Sequence, residues 1–166
     1  MKQRYIDYGT YNIWANKRLI SDLQAHDDSI LTAEHKGSYP TIRATLMHIW
    51  YAEVGWLSRM KGEGWKTNEV ANFQGSNQEL YTSWLEKSQE FLDFVGECDL
   101  EKGIRFNHKG NSFDIPCREI IQTVFNHGSY HRGQVVMMLR QLGVSSIKQT
   151  DYIEWVRQKA LGETNR

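Results

Sequence analysis

The segment "NHGSYHRGQ", residues 126–134, constrains the fold more than any other stretch of this chain. It falls inside a helical stripe. Ile120, Val124, Val135, Met138 and Leu142 recur at helical spacing, and positions 127 and 131 continue that stripe through its middle. Both positions hold histidine where an apolar residue is expected. A long helix therefore turns two imidazoles toward its packing partner, one turn apart on one face. Gly128 and Gly133 flank the pair, and each glycine costs a helix interior about 1 kcal/mol relative to alanine. They leave room either for a ligand or for a closely packed neighbouring helix.

The rest of the chain supplies partners of similar length. A first helix is expected from Tyr5 to Gln24, with Ile6, Ile13, Ile20 and Leu23 at helical spacing. A second runs from Thr41 to Met60 with Ile42, Leu46, Ile49, Trp56, Leu57 and Met60 on its stripe. A third opens at Ser76, where Ser76 and Glu79 match a capping box, and continues through Leu80, Trp84, Leu85, Phe91, Leu92 and Val95. "IRFNHKGNSFDIP" alternates around Lys109-Gly110-Asn111 and predicts a short β-hairpin. Pro116 suits the first turn of the fourth helix, which Gly143 ends after Leu142. A small last helix follows, with Asp151 and Glu154 as a second capping box and Ile153, Trp155 and Val156 as its apolar residues. The expectation is all-α: a four-helix bundle with a short hairpin before helix four and a small C-terminal helix, one domain over residues 1–166.

Composition narrows the function classes. Lys plus Arg and Asp plus Glu each number 20, and no dense basic cluster stands out, so nucleic acid is not an expected partner. No apolar run approaches about 18 residues and the N-terminus lacks a signal-peptide core, so no membrane association is expected. Cys98 and Cys117 lie outside any C-x-x-C motif, which fits a reduced cytoplasmic protein.

His127 and His131 can reach one metal ion, or can be satisfied by hydrogen bonds alone. Their H-x-x-x-H spacing is shared with zinc proteases. The glutamate that those enzymes carry after the first histidine is Gly128 here, so peptidase chemistry is not supported. A metal would need a third ligand. His26, His35 and His108 fall near chain turns. His48 lies inside the second helix, on a face shared with Thr41, Thr45, Ala52 and Gly55, and reads equally as a boundary histidine or a ligand.

Three motifs, in order and spacing, make the chain resemble the DinB/YfiT-like superfamily: "YNIWANKRL" from Tyr11 to Leu19, "TLMHIWYAE" around His48, and His127 with His131-Arg132-Gly133-Gln134. "TDYIEWVRQ" is similar to the usual C-terminal helix of that family, and the resemblance spans nearly the whole chain. It implies a four-helix bundle, a divalent metal (zinc or nickel) held by His48, His127 and His131, and a homodimer. It also implies a small-molecule substrate or a low-molecular-weight thiol such as bacillithiol or mycothiol. The DNA-damage label in the family name refers to induction and does not imply DNA binding.

Three imidazoles leave an ion with open positions, unlike a closed structural site. Two reaction classes follow, thiol S-transfer and metal-dependent hydrolysis. The alternative is a non-catalytic metal-binding bundle that acts through a protein partner and is induced by stress or damage. Arg132 could meet an anionic substrate group or a structural carboxylate, Gln134 could orient a ligating histidine, and Trp14, Trp50 and Trp56 could line a pocket or the core. Tyr51, Glu53 and Asp114 are candidate bases that no motif places.

Overall fold

Each of the four long apolar stripes forms a helix, and the four pack side by side. The computed structural model describes residues 1–163; residues 164–166, part of the domain expected from the sequence, lie outside the described residues. The chain runs α1 (Lys2–Gln24), α2 (Ser29–Thr32), α3 (Ile42–Met60), α4 (Asn68–Ala71), α5 (Asn77–Glu97), β1 (Gly103–His108), β2 (Asn111–Pro116), α6 (Cys117–Gln141) and α7 (Tyr152–Ala160). The two single-turn helices α2 and α4 carry no stripe long enough to be read from sequence.

Helix α1 packs on α5 and α6, and α3 packs on the same two, so the four close into a ring. Side-chain contacts give the directions. Lys2 reaches the Gly96 carbonyl and Gln24 meets Gln78, so α1 and α5 are antiparallel. Thr45 meets Met138 and Met60 meets Cys117, so α3 and α6 are antiparallel too. Arg43 meets Asn77 and Lys61 meets Glu90, which makes α3 and α5 parallel. The order is up, down, down, up, and residues 61–76 must return the whole length of α3 before α5 can start.

Two apolar clusters fill the ring. Leu19, Leu23, Leu46, Ile49, Leu80, Trp84, Val135 and Leu139 pack one end, and Leu57, Phe91, Val95, Ile121, Val124 and Phe125 the other. Burying a leucine or phenylalanine contributes about 1.5–3 kcal/mol each. Between the clusters lies a polar layer. The Arg132 guanidinium donates to the side-chain oxygens of Asn12 and Asn16 at 2.6 and 2.8 Å. Asn12 and Ser88 donate in turn to the Glu53 carboxylate at 3.2 and 2.7 Å. Every helix of the ring contributes, and all five side chains are buried.

The ends of the elements follow local chemistry. Thr41 caps α3 by accepting from the Ala44 N–H, and Ser76 with Glu79 forms the full capping box of α5. Lys109 and Gly110, with φ of 47° and 80°, make a two-residue turn, and the strands pair Phe106 with Phe113 and Ile104 with Ile115. Three expectations are corrected. Pro116 closes β2 and stands as the N-cap of α6, with extended ψ of 139°, so the helix begins at Cys117. Leu142 is not core: α6 ends at Gln141, and the left-handed Gly143 carries Leu142 outward to 38% exposure. The Asp151–Glu154 capping box does not form, because Glu154 accepts from Gln158 instead. Of the apolar residues on α7, only Trp155 is buried, against Tyr11 of α1. No described helix is long and apolar enough to cross a membrane.

Candidate metal centre

The antiparallel packing of α3 on α6 brings His48 level with the histidine pair. One ligand nitrogen from each of His48, His127 and His131 lies within 4.8 Å of the other two. A tetrahedral ion with bonds of about 2.0–2.1 Å needs its ligand nitrogens about 3.3 Å apart, so no pair has to close by more than about 1.5 Å. The Nε2 atoms of His48 and His127 are 2.8 Å apart. Ring centroids are separated by 4.4–4.7 Å across all three pairs. His131 is buried, and the other two are half-buried.

Gln134 sets the state of His131. Its Oε1 stands 2.7 Å from His131 Nδ1, and an amide oxygen can only accept. The contact is satisfied by the tautomer with its proton on Nδ1, which leaves the Nε2 lone pair for the cluster, the arrangement that metal-ligating histidines use. Burial, reinforced by His131 and His48, pushes the His127 pKa down to about 4. Burial, then His131, also lowers His48. Neutral imidazole is the form that ligates, and burial favours that form at His127 and His48.

Tyr39 was not read from the sequence as part of any site. It stacks on His48 at a centroid distance of 4.4 Å and meets His131 edge-on at 5.7 Å. Its only local signal was membership of the "GSYP" turn, which marks a loop and not a contact. Tyr130 meets His131 from the other side at 5.0 Å.

The remaining candidates lie apart from the cluster. Arg132 follows His131 but turns into the polar layer, where it meets asparagine amides and, through Asn12, the Glu53 carboxylate. Gly128 serves that layer: a Cβ there would stand 3.2 Å from both Arg132 Nη1 and Asn12 Oδ1, so close packing explains it. Gly133 faces open space. Trp14 packs toward α7, its indole donating to Gln158, and Trp50 is core against Phe73. Among the candidate bases, Asp114 pairs with Arg105 on the hairpin and Glu53 is sealed in the polar layer. Tyr51, one turn beyond His48, accepts from Trp65. His26 and His108 are exposed, and His35 meets Gln141.

A four-helix ring with a hairpin ahead of its last long helix, and three histidines that could hold a metal ion, now stands beside two comparisons. The model of the DinB family matches residues 1–161. Over 151 residues the chain is 28% identical to Protein DinB of Bacillus subtilis (strain 168), covering 86% of this chain and 87% of that protein. The family match takes in every long helix and all three histidines, and the chain belongs to the DinB family.

Proposed function

We propose that His48, His127 and His131 bind one divalent ion, zinc or nickel, and that the protein is a metalloenzyme acting on a low-molecular-weight thiol or a small electrophilic substrate. The observation that carries this reading is the convergence of three ligand nitrogens within 4.8 Å, with Gln134 presenting the Nε2 of His131. Three neutral ligands leave the charge of an ion uncompensated and at least one of four tetrahedral positions free, which favours an anionic fourth partner. A divalent ion bound there supplies Lewis acidity, lowering the pKa of a thiol or a water molecule. The chain's own residues favour the neutral form of His127 and His48, accept from His131 at Gln134 and, through Tyr39, cover one face of His48.

Thiol S-transfer is the reading we favour over hydrolysis. Neither carboxylate considered as a base is free to take a proton from water: Glu53 is sealed in the polar layer and Asp114 pairs with Arg105. A thiolate needs no such base once its pKa is lowered. A homodimer is part of the proposal, supported by exposed Tyr130 and Met137 on an outward stripe of α6 that also holds Gly133.

Elemental analysis of protein purified without a histidine tag tests the site. Wild type and His108→Ala should carry one ion per chain, and His131→Ala should carry none. Equal occupancy in all three would refute the assignment. Cobalt-substituted protein then tests the thiol: a charge-transfer band that saturates with added thiol supports transfer, and its absence leaves hydrolysis or a binding-only role.

A further inference from the structure

A second concavity opens one turn from the histidines. His48, Tyr51, Gly55 and Arg59 fall at i, i+3, i+7 and i+11 on α3, a single stripe along one face. Tyr51 and Arg59 of that stripe line a cavity of about 610 Å³, walled also by Trp56, Trp65, Phe106, Phe113 and His108. The volume lies within the range of small-molecule sites, about 300–1,000 Å³. The returning segment after α3 supplies Trp65, and the hairpin supplies the two phenylalanines. Gly55 is what admits the indole: a Cβ there would lie 2.4 Å from Trp65 Cζ2. The Trp65 N–H donates to the Tyr51 hydroxyl at 3.1 Å, fixing the ring against the histidine end. Trp65 and Phe113 remain 37% and 39% exposed, two large aromatic faces in one concavity.

Arg59 is the guanidinium of this cavity, which Tyr51 and His108 also line. Its guanidinium carbon lies 4.4 Å from the Phe106 ring centroid, 4.6 Å from Trp65 and 5.2 Å from Trp56. Among the described residues no carboxylate pairs with it, although the neighbouring Lys61 and Lys66 both find glutamates. Partial burial among the rings lowers its pKa, a sign of water already removed. Five N–H donors are thus held in a fixed plane by aromatic faces with no protein acceptor, in a cavity lined mostly by aromatic rings. A planar carboxylate matches such a fork with two parallel hydrogen bonds.

We propose that this cavity binds an aromatic carboxylate, with its carboxylate forked on Arg59 and its ring system against the exposed faces of Trp65 and Phe113. Arg59 lies 11 residues after His48, roughly 16 Å along the helix axis, and its side chain leans back toward the helix N-terminus. A ligand held there would lie along the same face of α3 as His48. The link to the metal rests on the function proposed above, but the binding itself does not.

Isothermal titration with 2-naphthoate, in the presence of a chelator, tests the site without the metal. Wild type should bind saturably. Arg59→Met and Trp65→Ala should each weaken binding at least about tenfold, and 2-naphthamide, which has the ring without the charge, should bind wild type at least about tenfold more weakly. His131→Ala should bind 2-naphthoate like wild type. Circular dichroism confirms that the variants are folded, and 2-naphthamide keeps the test valid if they are not. Absent binding by wild type, or equal binding of acid and amide, overturns the proposal. So does a Trp65→Ala variant that turns a sedimenting dimer into a monomer, because the cavity would then be covered by a second copy. If elemental analysis finds no ion in the wild type as purified and naphthoate still binds, the metal centre falls and this site stands.

Discussion

Acidifying the metal-free protein should destabilise it through His127, and the expected loss follows from the position of that ring. Burial beside His131 and His48 pushes its pKa down to about 4. In the unfolded chain the imidazole returns to about 6.5. The folded pKa is the lower of the two, so the unfolded chain takes up the proton first. Stability is therefore full above about pH 6.5 and is lost as the pH falls toward about 4. That interval is worth about 3 kcal/mol at full burial. The ring is only half-buried, and screening by water brings the expected loss to about 1–2 kcal/mol. Urea unfolding of wild type and His127→Gln, both in chelator, at about pH 7.5 and about pH 4.5 measures it. Wild type should lose about 1–2 kcal/mol more than the variant between the two conditions. Equal losses would show that the ring is not held neutral by its surroundings, and the argument for a ligand set prepared by the fold would fail with it.

Gln134→Leu should leave the fold intact and lower metal affinity about 10–100-fold in chelator competition, because His131 loses the acceptor that fixes its tautomer; unchanged affinity would remove Gln134 from the site. Glu53 offers a pH test of opposite sign. Burial pushes its carboxyl up to about 7 against the hydrogen bonds from Ser88 and Asn12. The folded protein thus holds that proton better than the unfolded chain does. Its stabilising effect is full below about pH 4.5 and is lost as the pH rises through about 7, by on the order of 3 kcal/mol. Glu53→Gln should lack that slope in urea titrations, and a slope retained in the variant assigns it to another group. Burial pushes the Cys117 thiol up to about 12 and also raises Cys98. An aromatic disulfide reagent at neutral pH should consequently modify the folded protein far more slowly than the denatured one, and equal rates would contradict the burial.

The long helices were legible because each carries a 3.6-residue apolar stripe over four or more turns, and the hairpin because Ile104, Phe106, Phe113 and Ile115 alternate around a glycine turn. The convergence of the histidines was legible only in part. The pair on α6 follows from periodicity, whereas His48 looked equally suited to a helix boundary until the resemblance singled it out. The polar layer was not legible. Arg132 meets Asn12 across 120 positions of sequence, and no local pattern encodes a contact at that separation. Trp65 belongs to no helical stripe, but its partner was signalled: a glycine at position 55, inside a helix, calls for something that needs the missing side chain's space. Leu142 shows the limit of periodicity, since a stripe extends on paper past the point where a left-handed glycine ends the helix.

His131 is followed directly by Arg132, and His48 stands five positions ahead of Glu53, so the helices that carry the histidines also carry the charged members of the buried polar layer. Leucines and isoleucines tolerate a shift along their neighbours with modest repacking. A fully buried guanidinium does not. Sliding α6 one turn past α3 and α1 would pull Arg132 away from both asparagines and strand its charge among hydrocarbon, a cost of several kcal/mol. The layer therefore indexes the bundle as a keyway indexes a shaft: of the many alignments that the greasy surfaces would accept, it admits one. Substitutions at Asn12, Asn16 or Ser88 would accordingly blur the alignment of three imidazoles that none of those side chains touches.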